Sequence, residues 1–279
     1  MAEATLPAAR KEAELFDLTA VVKAWAINSF YAAADKKQKK LKVTEIEFKV
    51  IWDDVVCWSE PPTFTDSHSV QLPKCHALFS TSYRNKTDGV QEYNFRTDRS
   101  TRSTAEIEIT KGFTAHRELG VKFQLPNQVL EANAGFSKEI SLSKTIHQCF
   151  EEEMTWGIDT RVEVQPKSTA NVEVNIIEQR MTCQFAVDTR MRGRVRAICL
   201  ECKRNNAFLM SIEADLGEVV KAHLDKRQPS STPKLTNVKV EDGTPKTVVI
   251  TTEGRCAFRF GVKQDVEVNQ IAAPYPNEN

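Results

Sequence analysis

Few of the residues able to do chemistry stand where chemistry would need them. The five histidines, His68, His76, His116, His147 and His223, fall at no spacing that sets two of them on one helix face beside a general base. Cys199-Leu200-Glu201-Cys202 has the CxxC spacing of zinc and dithiol sites. No second pair follows at ligand distance, and on a strand positions three apart point to opposite faces. Neither a Gly-rich phosphate loop nor a GxSxG elbow occurs. The acidic pair Asp53-Asp54 and the run Glu151 to Glu153 lack a neighbour that would separate one carboxyl as acid and another as base. The expectation is a protein that is not an enzyme and that takes no cofactor and no metal.

Composition narrows the alternatives. The 38 basic and 38 acidic residues cancel, whereas a dedicated nucleic-acid binder is basic on balance, so nucleic acid is not an expected partner. No run of about 18 apolar residues exists to make a transmembrane helix. Met1-Ala2-Glu3-Ala4 lacks the basic stretch and apolar core of a signal peptide, which suits a cytoplasmic chain or a secreted form numbered afresh. Seven cysteines, an odd count without a tight framework, favour free or partly paired thiols. Asn85-Lys86-Thr87 is a glycosylation sequon, of consequence only on a secreted chain. A chain of 279 residues has room for one large β domain or two smaller ones.

The elements follow from periodicity. Leu15, Leu18, Val22 and Trp25 recur at helical spacing within residues 11–34. The basic run from Lys36 to Lys42 follows, either a cation-rich helix end or a patch for anionic lipid. From Val43 the period becomes two, with strands expected over 45–52 and near 70–72, 76–82 and 91–96, and a turn at 85–89. Trp52, Trp58, Phe64, Phe79, Tyr83, Tyr93 and Phe95 crowd this third of the chain, as core or as a sugar- or headgroup-binding surface. Later strands are expected up to Val164, over 170–187 and 194–202, and over 235–240, 247–251 and 256–268. Turns are expected at 188–193 and 252–254, helical spacing at 208–226, a linker at 228–233 and a frayed tail from Ala272.

The stretch from Ala105 to Ile146 organises the rest. Ile107, Ile109, Phe113, Leu119, Val121, Phe123 and Leu125 hold the odd positions of a first limb, with mostly polar residues between. Past Pro126-Asn127-Gln128, Leu130, Ala132, Ala134, Phe136, Ile140, Leu142 and Ile146 hold the even positions of a second. Such alternation marks a strand with one apolar face. Strands seldom exceed ten residues, so limbs of this length mean either a hairpin able to enter a lipid barrel or a ribbon in an elongated β protein.

From Arg99-Ser100-Thr101 through Val187 the chain resembles the aerolysin-like β-pore-forming family, in its epsilon-toxin/mosquitocidal-toxin branch. The resemblance rests on the order of Gly112-Phe113-Thr114, Gly120-Val121, Gln124-Leu125-Pro126, Ala134-Gly135-Phe136-Ser137, Trp156 and the strand–Pro–strand unit Val162 to Val172. It implies a mainly β, elongated protein of long, mostly antiparallel strands with an N-terminal α+β lobe. It also implies a soluble monomer or dimer that assembles into a ring, each protomer giving one hairpin to a transmembrane barrel. Its partners would then be a membrane lipid or glycan receptor and further copies of itself. Residues 1–95 would be the receptor- or membrane-binding lobe and 96–279 the pore-forming module, with the insertion hairpin at about 105–146.

A turn centred between Asn127 and Gln128 sets Leu125 against Leu130, Phe123 against Ala132, Val121 against Ala134 and Leu119 against Phe136. These eight side chains would face lipid. The same register leaves Arg117 and Lys138 on the apolar face, where the family pattern has none. A cation at the midplane of a lipid-facing barrel surface costs roughly 2–4 kcal/mol and about 0–1 at the interface. Arg117 and Lys138 therefore belong at the interface, snorkelling to headgroups. Glu118, Lys122, Gln124, Glu131, Asn133 and Glu139 would line the lumen. The expected function is pore formation; a non-lytic binding, structural or storage protein on the same fold is the alternative.

Overall fold

A computed structural model describes residues 13–72, 76–115, 120–132, 135–142, 146–226 and 236–272. Thirteen strands and three α-helices run in the order β1 (Glu14–Asp17), α1 (Leu18–Ala33), β2 (Ile46–Ile51), β3 (Val55–Ser59), β4 (Thr63–Gln71), β5 (His76–Arg84), β6 (Gln91–Thr114), β7 (Val121–Gln124), α2 (Asn127–Glu131), β8 (Glu139–Leu142), β9 (His147–Val164), β10 (Ser168–Glu201), β11 (Ala207–Asp215), α3 (Leu216–Lys226), β12 (Val238–Glu241) and β13 (Thr247–Ala272). Among the described residues no helix is long and apolar enough to cross a membrane, a statement that leaves β-barrels aside.

The 34-residue β10 is the axis. Val172, Val174 and Ile176 alternate with Glu173 and Asn175, and all three are fully buried. One edge of β10 pairs with β13 from Ser168↔Ala272 to Arg192↔Thr247, then with β11 from Arg194↔Asp215. Along the other edge β2, β3, β4 and β5 lie end to end, all antiparallel to it. Strands β2 to β5 thus run beside β10 over most of its length. Beyond β13 the sheet continues through β6 to β9, and β1 joins β6 in parallel.

The core is a chain of apolar clusters along this axis. At one end α1 and α3 cover the sheet, with Leu18, Val22, Leu216 and Val220 fully buried. Asp17 Oδ1 accepts the Ala20 amide at 2.9 Å and starts α1. At the other end Phe79 stacks on Phe95 and Tyr83 on Tyr93 over Val162, Val164, Val172 and Val174. Trp52 is buried beneath the helices and Phe64 meets Phe123 edge to face. Six of the seven aromatics of this third are therefore packing residues, and Trp58 alone of them reaches 36% exposure.

Several expectations need correction. The helix begins at Leu18, because Leu15 and Phe16 belong to β1. The turn expected at 188–193 does not form; β10 runs straight through it. Gly193 has φ +134°, and a Cβ there would overlap the Asp54 carbonyl oxygen, so glycine permits the passage from β13 to β11 pairing. Likewise β13 is unbroken across 252–254. Gly254 lies against the Glu108 carbonyl, and a Cβ would sit 2.7 Å from the Phe185 ring. Residues 208–226 divide into strand β11 and helix α3. Glu151 to Trp156 lie inside β9. The segments expected as linker (228–233) and tail (273–276) lie outside the described residues.

The sequon is occupied internally. Asn85 is 1% exposed; its Nδ2 donates to Gly89 O at 2.7 Å and Val164 O at 3.0 Å. Its Oδ1 accepts from Thr87 N at 2.9 Å and Thr87 Oγ1 at 2.7 Å. Every hydrogen-bonding capacity that a glycan would need is spent on the turn.

Candidate membrane-inserting hairpin

The hairpin segment lies between two strands that pair with each other. β6 and β9 form an uninterrupted antiparallel ladder from Gln91↔Val164 to Glu108↔His147, and Ile109 N then donates to Ile146 O at 2.7 Å. Continued without a shift, that ladder would set Phe123 against Ala132 and Leu125 against Leu130. The chain instead breaks it. β7 and β8 pair as a separate two-stranded sheet in another register, Val121↔Leu142, Phe123↔Ile140 and Gln124↔Glu139. The slippage between the two registers is an even number of residues, so every side chain keeps its face.

Pro126 accounts for the break. Its carbonyl accepts the amides of Val129 at 3.0 Å and Leu130 at 3.2 Å, turning 127–131 into the short α2 where a tight hairpin turn was expected. Val129, on α2, is 1% exposed.

The segment is folded down on the sheet by its apolar face. Val121, Phe123, Leu125, Val129 and Leu142 are buried, with Leu130, Ala132, Phe136 and Ile140 partly so, against Cys183, Phe185, Cys256, Phe258 and Phe260. Phe123 meets Phe185 at a centroid distance of 4.8 Å and Phe64 at 5.9 Å. Each fully buried side chain of this kind stabilises the docked state by about 1.5–3 kcal/mol. Among the described residues backbone attachment is sparse by comparison: Lys122 N donates to Ser59 Oγ at 3.1 Å, and Leu125 N to Lys138 O within the segment itself at 3.2 Å.

Polar members of the segment face outward. Lys122, Glu131, Lys138 and Glu139 are exposed, Gln124 is intermediate, and Lys122 Nζ lies 3.5 Å from Glu139 Oε1. Arg117, Glu118, Leu119, Asn133 and Ala134 lie outside the described residues. Apart from Lys138, which has the apolar parity but is exposed, the alternation separates the described candidates by face, while the pairing and the tip differ from the sequence reading. The docking partners Phe64 and Phe185 were hidden, since nothing local to either marks it as the floor of a distant hairpin.

Cys199 is buried and Cys202 exposed, so the CxxC pair is divided as a strand would divide it. Burial pushes the Cys199 and Cys57 thiols up to about 11. Cys183 and Cys256 face each other beneath the hairpin with Sγ atoms 2.8 Å apart.

No family model and no curated protein matches the chain. Solved structures do. A non-toxic crystal protein from Bacillus thuringiensis superposes with TM-score 0.52 at 13% identity, over 93% of this chain and 98% of that one. The Mpp75Aa1.1 beta-pore-forming protein from Brevibacillus laterosporus follows at TM-score 0.41 and 13% identity, over 92% and 88% of the two chains. An aerolysin-like protein of Bombina maxima also matches, at TM-score 0.26 and 14% identity, over 81% of this chain and 98% of that one. The chain has the mainly β architecture of long, mostly antiparallel strands that its sequence order implied, and shares that fold with the Bacillus thuringiensis crystal protein.

Proposed function

We propose that the protein is a β-barrel pore former that binds a membrane, assembles into a ring and inserts one amphipathic hairpin per protomer. One observation carries this reading: the β6–β9 ladder points, in register, into a segment that is held off that register by side-chain docking. Release of the segment and extension of the ladder would give the continuous hairpin. Leu119, Val121, Phe123, Leu125, Leu130, Ala132, Ala134 and Phe136 would then face lipid. Arg117 and Lys138 would stand at the interface, and Glu118, Lys122, Gln124, Glu131, Asn133 and Glu139 in the lumen. The side chains that dock on the core are the ones that would meet lipid, so the hydrophobic stabilisation lost on release is regained on insertion. Residues 1–95 would supply the receptor- or membrane-binding surface and 96–279 the pore-forming module. The setting would be secretion followed by a target-cell membrane, the partner a membrane lipid or a glycan receptor.

A non-lytic role on the same fold is the second reading. It is favoured by Lys138, a cation with the parity of the lipid face, and a fold by itself does not fix an activity. Dye release from vesicles decides between them. A Ser59→Cys/Lys122→Cys pair, placed in a Cys57→Ser background, should lock β7 to β3 when oxidised. The oxidised protein should bind vesicles and release no dye, and reduction should restore release. No release by the wild type under any lipid, pH or protease condition sinks the pore reading; release by the oxidised form sinks this hairpin.

A further inference from the structure

The helical end of the molecule carries a charge that the chain as a whole does not. Net charge is zero over 279 residues, yet the loop after α1 exposes Lys36, Lys37, Lys39, Lys40 and Lys42. The nearest acid is engaged in shaping that loop: Asp35 Oδ1 accepts the amides of Lys37 and Gln38, both at 2.7 Å. Among the described residues Lys36, Lys39 and Lys40 take no ion-pair partner.

A second basic turn, distant in sequence, reaches the same place. Ile46 pairs with Glu201 at the end of β10, which sets the 42–45 segment beside the turn that follows β10. That turn exposes Lys203 and Arg204. Lys203 Nζ reaches Glu45 Oε1 at 2.5 Å, while Glu45 Oε2 accepts the Lys42 amide at 2.9 Å, so one carboxylate ties the two basic segments together. Arg204 is shared only loosely with Glu201, at 3.8 Å.

Apolar side chains stand exposed among these cations. Phe208, opposite Leu200 on β11, is 65% exposed, and Val43, next to Lys42, is 44% exposed. A soluble polyanion has no use for them. A lipid interface does, since aromatic side chains lodge at headgroup depth and basic ones above it.

We propose that this end is the surface on which the protein first settles on a bilayer, and that it selects anionic lipid. The proposal rests on the membrane reading given above and narrows it to a lipid class and a face. Each lysine or arginine near an anionic leaflet contributes a few-fold in affinity, screened within about 10 Å at 0.1 M salt. Arg84 and Lys86, beside the opposite end of β10, serve as the control, because a strand of this length sets its ends roughly 100 Å apart.

The test is co-sedimentation of the full chain with phosphatidylcholine vesicles, with or without about a third phosphatidylserine, with dye release read in parallel. Anionic vesicles should bind at least about tenfold more tightly, and 0.5 M salt should remove the difference. Lys39→Glu/Lys40→Glu should lose about tenfold or more on anionic vesicles with an unchanged thermal midpoint. Phe208→Ala should weaken binding at high salt as well as low, while Arg84→Glu/Lys86→Glu should bind as wild type. Equal binding to both vesicles, equal loss in the control pair, or competition by heparin with no effect of Phe208→Ala overturns the proposal. Anionic-selective binding without dye release would leave it standing and sink the pore reading. Dye release indifferent to lipid charge and to Lys39→Glu/Lys40→Glu would do the reverse.

Discussion

The Phe123 and Phe185 rings meet edge to face at 4.8 Å, with their planes at 64°, and join a hairpin to a strand that it never pairs with. Phe123 is fully buried, and its neighbours in β7 and β8 make few backbone bonds to the main sheet. Docking by side chains is the condition for a segment that opens on its own.

Phe123→Ala should therefore act locally. A buried Phe-to-Ala change costs about 3–5 kcal/mol, and here the cost should fall on the docked segment. Hydrogen exchange should quicken through 121–124 and 139–142 while β10 and β13 keep their protection. If protection falls evenly across the sheet, the hairpin is part of one cooperative unit.

Asn85 is bonded at both ends of its amide inside the 85–89 turn. Asn85→Ala should lower stability by about 2–3 kcal/mol, because the Val164 carbonyl and the Thr87 amide lose their buried partner. In a secreting host, the folded soluble fraction should show no mobility shift after glycosidase treatment. A shift in folded protein would mean that the turn tolerates a displaced Asn85.

Gly254→Ala should be among the most costly single-methyl changes in the chain. The new Cβ would overlap the Glu108 carbonyl and press on Phe185, both fixed in the sheet, and overpacking of this kind typically costs about 1–3 kcal/mol and occasionally more. Chemical denaturation measures it. A near-neutral result would mean that β6 and β13 can separate slightly at no cost.

Gly254 also marks a limit of sequence reading. A glycine that opens a turn and one that lets two backbones approach look alike in a single sequence, and both Gly193 and Gly254 stand inside unbroken strands. Alternation was more informative: Val121, Phe123 and Leu125 occupy one face because core burial and lipid exposure would select the same parity. The β6–β9 ladder has the register drawn from apolar pairing, Glu108 opposite His147, although the tip of the hairpin departs from it. The tip was illegible because a five-residue helix carries no period. The basic end was half legible, since the Lys36–Lys42 run is local whereas the Glu45–Lys203 bond spans 158 positions.

That bond gives a prediction with a defined sign. The hydrogen bond from Lys203, and after it the one from the Lys42 amide, holds the Glu45 carboxyl below its ordinary 4.5, while Glu45 raises the Lys203 ammonium above 10.5. A depressed acid contributes stability that is fully present above its unfolded value and disappears as pH falls through the folded one; a raised base loses its share as pH rises through the folded value. Glu45→Gln keeps an acceptor for the Lys42 amide and removes only the charge. The variant should unfold earlier than wild type at pH 7, and the two denaturation midpoints should converge as pH falls through the lowered Glu45 value, where the glutamic acid is as uncharged as the glutamine. A gap that persists unchanged through the whole acid limb would mean that shape, rather than charge, joins the two basic segments. Glu45→Gln also frees Lys203, so at pH 7 it should bind anionic vesicles more tightly than wild type even as its fold weakens. Stability and membrane affinity would then move in opposite directions in one variant, which a merely damaged surface would not produce.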